Sequence, residues 1–237
     1  MDATEVKPPW PILVIALALP TAGALIYFVA AEPDEPLFRV IYAVSKVVQF
    51  ALPVAVLLAI DRERLKAIRL STRGLAAGGM VGATIVVAIT GIYFGALRGT
   101  PILSGLADSI RAKATGFGLG SPAGLVTFAL FLSAIHSFLE EYYWRWFVHA
   151  GLRERLPQTA AVVISSLAFA AHHVVVLAVY FPDRIWTATV PFSLAVAAGG
   201  AAWAWLYDRY QSLAGPWLAH LLTDAAIMAV GYELLFR

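Results

Sequence analysis

The sequence predicts an all-α fold: a polytopic membrane helical bundle of about seven transmembrane helices, with an interfacial segment between the third and fourth. Three observations predict it. Of 237 residues, 60% are hydrophobic and only 14% charged, far more apolar than a soluble domain. Apolar runs of spanning length recur along the chain. Between them lie short connections rich in charge, Pro and Gly. The formal charge of +2, with basic residues dispersed among those connections, excludes a nucleic-acid partner and leaves the lipid bilayer as the surrounding medium. With no cysteine, disulfides, thiolate nucleophiles and thiolate metal sites are excluded as well. No internal repeat is apparent, and residues 1–237 read as one integral-membrane domain.

The first span runs from Trp10 to Ala31, after Pro8 and Pro9, and is closed by an acidic turn from Glu32 to Pro36. It is longer than a signal-peptide core and reads as a retained span. The second, Phe38 to Ile60, carries Lys46 and Gln49 three apart, a polar stripe that should face the bundle interior. The connection from Asp61 to Arg73 is the most basic in the chain. Leu75 to Leu97 is the third span, and its glycines (Gly78, Gly79, Gly82, Gly91, Gly95) predict close helix packing. Arg98 to Pro122 is too polar to span and reads as interfacial, ending in a glycine run at 116–120 that lacks the Lys-Ser/Thr of a phosphate loop. The remaining spans are Ala123 to Leu152, Gln158 to Phe181, Thr187 to Tyr207 and Gly215 to Phe236.

Seven spans impose an alternating topology. Lys7, the five basic residues between 61 and 73, Arg153, Arg155 and Arg209 make nine on one side, against six on the other (Arg39, Arg98, Arg111, Lys113, Arg184, Arg237). The positive-inside rule then makes the N-terminus cytoplasmic.

The fourth span holds the stretch around which the chain is organised, Phe138 to Phe147, with two carboxylates and a guanidinium in an apolar helix. Unpaired at the bilayer centre, Glu140, Glu141 and Arg145 would cost about 3 kcal/mol each, about 9 kcal/mol together. Glu141 and Arg145 are four apart and can neutralise each other on one helix face, a bracing role. Glu140 points about 100° away round the helix and is left over, a carboxyl suited to general acid–base work. Further along, the fifth span contains His172 and His173, and the seventh has His220 and Asp224 four apart, the spacing at which a carboxylate fixes an imidazole tautomer. Intramembrane ionisable residues face an interior or cavity, so these groups together read as a site. Taken singly, His136, His149 and His172 read as structural. Tyr142, Trp144 and Trp146 read as packing or interfacial belt, and so does the pair Trp203 and Trp205.

Three motifs, Glu140-Glu141-x-x-x-Arg145, Phe169-x-x-x-His173 and His220-x-x-x-Asp224, stand in this order on successive spans. They resemble those of the type II CAAX prenyl endopeptidase family, glutamic-type intramembrane proteases that include bacteriocin-processing relatives. The likeness covers about Leu125 to Gly231, and Asp224, where eukaryotic-type members resemble an Asn, matches the bacterial branch. It implies an endopeptidase in the bacterial inner membrane, acting on a membrane-associated protein or peptide tail. Glu140 and His173 would activate water, His220 and Asp224 would stabilise the oxyanion or orient that water, and Glu141 with Arg145 would support the site. No cofactor is implied. As an alternative, Glu140, His173, His220 and Asp224 form a nitrogen and oxygen ligand set that suits zinc. Other readings of the same cluster are a proton or cation transporter, which broken helices beside the site would favour, and a non-catalytic adaptor or immunity protein.

Overall fold

The computed structural model describes residues 7–30, 36–60, 68–116 and 120–236. The acidic turn at 32–35, most of the basic connection (61–67), residues 117–119 of the glycine run and the terminal Arg237 lie outside the described residues. Among the described residues, seven helices are long and apolar enough to cross a membrane. Helix α1 (Trp10–Leu25) follows an extended Pro9, as suits a residue that cannot donate inside a helix, and continues as a π-helical turn, Ile26–Ala30. Helix α2 is Pro36–Ile60, and α3 is Leu75–Ile92 with a π turn at Tyr93–Leu97. A short amphipathic helix, α4 (Leu106–Gly116), forms the segment outside the spans. Helix α5 is Pro122–Arg153, α6 Gln158–Tyr180, α7 Ile185–Tyr210 and α8 Ala214–Phe236.

Helix α5 is the axis of the bundle. It starts cleanly, with the Ser121 hydroxyl accepting from the Gly124 amide (3.0 Å) and Pro122 in the first turn. Every residue from Glu140 to His149 is buried. Two π-helical stretches, Phe131–His136 and Tyr142–His149, bracket the α-helical turn Ser137–Glu141. Such widened turns re-aim side chains and occur mostly at functional sites. Neighbouring helices are bolted to α5 by polar side chains reaching its backbone or theirs. The Tyr143 hydroxyl donates to the Ala16 carbonyl of α1 (2.6 Å), and Trp217 Nε1 of α8 donates to the Ala134 carbonyl (2.9 Å).

Helix α8 carries His220 and Asp224, and its position is set by α3. A Cβ on Gly78 would stand 2.2 Å from the Gly215 carbonyl oxygen, and one on Gly82 would stand 2.7 Å from Leu222 Cδ1 and 3.1 Å from Ala219 Cα. Only glycine allows the two backbones this close. The expectation that Gly91 and Gly95 also serve packing fails, because a Cβ at either would have nothing within 4 Å.

Polar contacts sort the helix ends into two faces. On one, Lys7 Nζ donates to the Glu154 carbonyl, Arg155 Nε to the Pro8 carbonyl, and the Ser212 hydroxyl to the Ser71 carbonyl. There too His149, Arg153 and Gln158 converge on Asp208. On the other, Arg98 and Tyr93 meet Glu233, Arg111 Nη2 donates to the Leu235 carbonyl, and Arg184 Nη2 donates to Ser104 Oγ. This is the alternation that seven spans require. The outward surface is apolar, with Val47, Met80, Val87 and Leu130 all about two-thirds exposed, as for side chains solvated by lipid.

Candidate active site

Three helices meet around Glu140, and among the described residues each runs unbroken past it. From α5 come His136, Glu140, Glu141 and Arg145, from α6 His172 and His173, and from α8 His220 and Asp224. Glu140, Glu141, Arg145, His172 and His220 are buried, while His136, His173 and Asp224 are partly exposed.

Glu140 is ringed by imidazoles. Its Oε1 lies 3.6 Å from His172 Nε2 and 3.9 Å from His136 Nε2, and its Oε2 lies 3.8 Å from His220 Nε2. Each separation is just beyond a direct hydrogen bond, the situation in which a bridging water is to be sought. One ligand atom from each of Glu140, His172 and His173 falls within 4.8 Å of the others. His173 Nδ1 lies 3.0 Å from the Phe169 carbonyl, which can only accept. The proton is therefore on Nδ1, and Nε2 presents its lone pair. A carbonyl behind the far nitrogen is also the usual second partner of a metal-binding histidine.

Glu141 works in the opposite direction. Its Oε1 accepts from His220 Nδ1 at 2.9 Å, and its Oε2 lies 3.1 Å from Arg145 Nε. The latter contact is a close ion pair without hydrogen-bond alignment, since neither atom has a bonded partner. The Arg145 guanidinium is held as well by ring faces, with Cζ 5.0 Å above Phe169 and 5.5 Å above Trp203. With Nδ1 committed to Glu141, His220 directs Nε2 toward Glu140 and Asp224, the latter at 3.6 Å.

Aromatic rings fix the imidazoles. Trp203 stacks on His220 (centroids 4.0 Å apart, planes 15°), and Trp144 lies nearly parallel to His172 (6.0 Å, 6°). Phe169 touches His172, His173 and His220 and also receives the His173 proton at its carbonyl, so this one residue holds three imidazoles in place.

All six site residues expected from the sequence, Glu140, Glu141, Arg145, His173, His220 and Asp224, lie in this one cluster. Two residues first read as structural join it. His136 precedes Glu140 by one turn and faces it, a spacing visible in the sequence. His172 reaches Glu140 together with His173, so adjacent positions on one helix serve a single carboxylate. Trp203 is a third addition and a correction. It is 3% exposed and stacked on a histidine, whereas its former partner Trp205 is 49% exposed and does face outward. Of the alternative zinc set, Glu140 and His173 fall in the tight group, and His172 completes it in place of His220 and Asp224.

The family model described as "Type II CAAX prenyl endopeptidase Rce1-like" matches residues 122–226, from the first turn of α5 to the middle of α8. That segment of the chain, and not its first four helices, is similar to the Rce1-like family. Every residue of the cluster lies within that Rce1-like segment, whereas α1 to α4 precede it. The buried Glu and His cluster is of the kind that serves as a catalytic or metal site. Neither the curated proteins nor the solved structures contain a match to the chain.

Proposed function

We propose that the protein is an intramembrane endopeptidase that hydrolyses a peptide bond in a membrane-associated protein or peptide tail. The observation that carries this reading is the buried Glu140 carboxylate surrounded by His172, His173 and His220 inside the Rce1-like segment. A peptide bond needs a deprotonated water and a donor for the developing oxyanion. Glu140 takes a proton from a water held also by the His173 Nε2 lone pair, and the water oxygen attacks the carbonyl carbon. His220 acts as an imidazolium: its Nδ1–H is engaged by Glu141, its Nε2–H turns toward the oxyanion, and Asp224 orients it. Collapse breaks the C–N bond as Glu140 passes its proton to the leaving nitrogen, so the products are one carboxylate and one amine. Arg145 holds Glu141 in place.

The unbroken course of α5, α6 and α8 beside the cluster favours this reading over a transporter, which would be expected to interrupt a helix there. A metal-assisted version has one specific observation in its favour, the Glu140, His172 and His173 group. Two imidazole nitrogens and a carboxylate suit zinc, which would polarise the carbonyl or lower the proton affinity of the water. The cytoplasmic N-terminus in a bacterial inner membrane is part of the proposal. It is supported by the clustering of Lys7, Arg153 and Arg155 on one face of the bundle.

The test is cleavage of a labelled library of tail peptides by the purified protein in detergent, with and without chelator. Product that survives chelation supports the glutamate-activated water. Loss on chelation with recovery on zinc moves the metal version ahead. No product from folded protein contradicts the endopeptidase reading.

A further inference from the structure

Helix α2 contributes no residue to the cluster around Glu140, yet it places a cation in a membrane span. Lys46 Nζ donates to Gln49 Oε1 at 3.3 Å and lies 5.7 Å from the Phe50 ring centroid. Among the described residues no carboxylate pairs with it. The side chain is directed toward the cluster, because the Phe50 ring in turn packs edge-on against His136 (6.0 Å), which faces Glu140. Gln49 is buried, at 3% exposed, and its oxygen is used by Lys46. Among the described residues its Nε2 has no hydrogen-bond partner. Gln49 also lines a cavity of about 170 Å³ between α1 and α2, together with Ser45, Gly23 and Tyr27.

Two neighbouring side chains thus present free N–H groups beside a cavity and on the approach to Glu140. An unsatisfied buried donor costs about 1–3 kcal/mol, and a cation in the span costs more. An acceptor bearing negative charge would remove both penalties, and an ammonium next to an amide is the donor pair that a carboxylate accepts. We propose that Lys46 and Gln49 form a subsite for a carboxylate of the substrate, which therefore carries an acidic group near the bond to be cut. That group is either a C-terminal carboxylate or an Asp or Glu side chain. The inference rests on the endopeptidase reading for its meaning, but the binding it describes can be measured without turnover.

The experiment compares three N-terminally labelled libraries of apolar ten-residue peptides: with a free C-terminal carboxylate, with a C-terminal amide, and with a C-terminal amide plus one internal Glu. Binding to the full-length protein in nanodiscs is measured for the wild type, Lys46→Met and Lys46→Arg, and cleavage is followed in parallel. The expected result is about tenfold tighter binding of one or both carboxylate-bearing libraries than of the plain amide. That preference falls below about twofold in Lys46→Met and is restored in Lys46→Arg. Which of the two libraries is preferred identifies the source of the carboxylate. Equal binding of all three by the wild type, or a preference that survives in Lys46→Met, overturns the subsite. If Lys46 only tunes Glu140, Lys46→Met slows cleavage of all libraries alike and shifts no binding preference, which also overturns it. Binding preference without any cleavage keeps the subsite and removes the endopeptidase reading, so the two failures are distinguishable.

Discussion

His220 Nδ1 on α8 lies 2.9 Å from Glu141 Oε1 on α5, and this bond turns a bracing carboxylate into the element that aims an imidazole. Glu140 and Glu141 are neighbours in sequence but do different work. One faces three ring nitrogens across gaps of 3.6 to 3.9 Å, and the other is bonded to one. Adjacent helix positions diverge by about 100°, which is enough to separate the reactive carboxylate from the supporting one.

Removing the charge opposite Glu141 should therefore be costly in two ways. Arg145→Met leaves a fully buried carboxylate without its cation, a change that costs about 3–5 kcal/mol in comparable buried pairs. Thermal unfolding in detergent should show a clearly lowered midpoint. The double variant Arg145→Met with Glu141→Gln should recover much of the loss, because Gln can still accept from His220 Nδ1. A double variant no more stable than Arg145→Met would mean that Glu141 is not the partner that matters.

The contact between α3 and α8 predicts a long-range effect on the site. In Gly78→Ala the new Cβ meets the Gly215 carbonyl, so α8 must shift and carry His220 with it. Overpacking of this kind costs about 1–3 kcal/mol, and activity should fall with stability. Gly91→Ala, on the same helix but facing open space, should leave both unchanged. Paired measurements of unfolding midpoint and cleavage rate check this.

Among the histidines, effects should be graded by role. His173→Ala and His220→Ala should each slow turnover by about 10²- to 10⁴-fold, the range for loss of a proton-handling group. His136→Phe, which retains a ring against Phe50 and gives up only the 3.9 Å contact to Glu140, should be milder, about tenfold. Single-turnover rates on a cleaved library peptide would order the three variants, and a His136 effect as large as that of His173 would require a direct role for His136.

Toward the C-terminal end of α5 a polar cluster of similar appearance should behave differently. His149 is fully buried, with Nε2 2.9 Å from Asp208 and Nδ1 3.3 Å from the Ser165 hydroxyl, and it ties α5, α6 and α7 together. His149→Phe leaves Asp208 with only Gln158 and Arg153, which should cost about 1–3 kcal/mol of stability. The turnover of the remaining folded protein should be unaltered. A specific loss of rate at constant folded fraction would place His149 in the chemistry.

Much of this was legible in the sequence, and the boundary is physical. Apolar runs of spanning length are dictated by bilayer thickness, so all seven helices could be read directly. Pairs on one helix follow from its period, hence Glu141 with Arg145 and His220 with Asp224. What depends on packing between helices was hidden. Trp203 and Trp205 are equivalent in the sequence, yet one stacks on His220 and the other faces lipid. The five glycines of α3 also look alike, but Gly78 and Gly82 lie against α8 whereas Gly91 and Gly95 touch nothing. Both His172 and His173 reach Glu140, because α6 approaches α5 at a spot where the helix is widened on either side, and no repeat of 3.6 residues announces such a turn.

The central claim is that Glu140 delivers a water oxygen to a peptide carbonyl. It is tested most directly by running library cleavage in ¹⁸O-labelled water, reading the new C-terminus by mass spectrometry, and comparing wild type with Glu140→Gln. Glu140→Gln keeps the shape of the side chain and removes its basicity. The account predicts one ¹⁸O in each new carboxylate from the wild type, and at least a 10²-fold slower appearance of that product from an equally stable Glu140→Gln protein. Product formed at the wild-type rate by Glu140→Gln would contradict it, as would a new terminus without label.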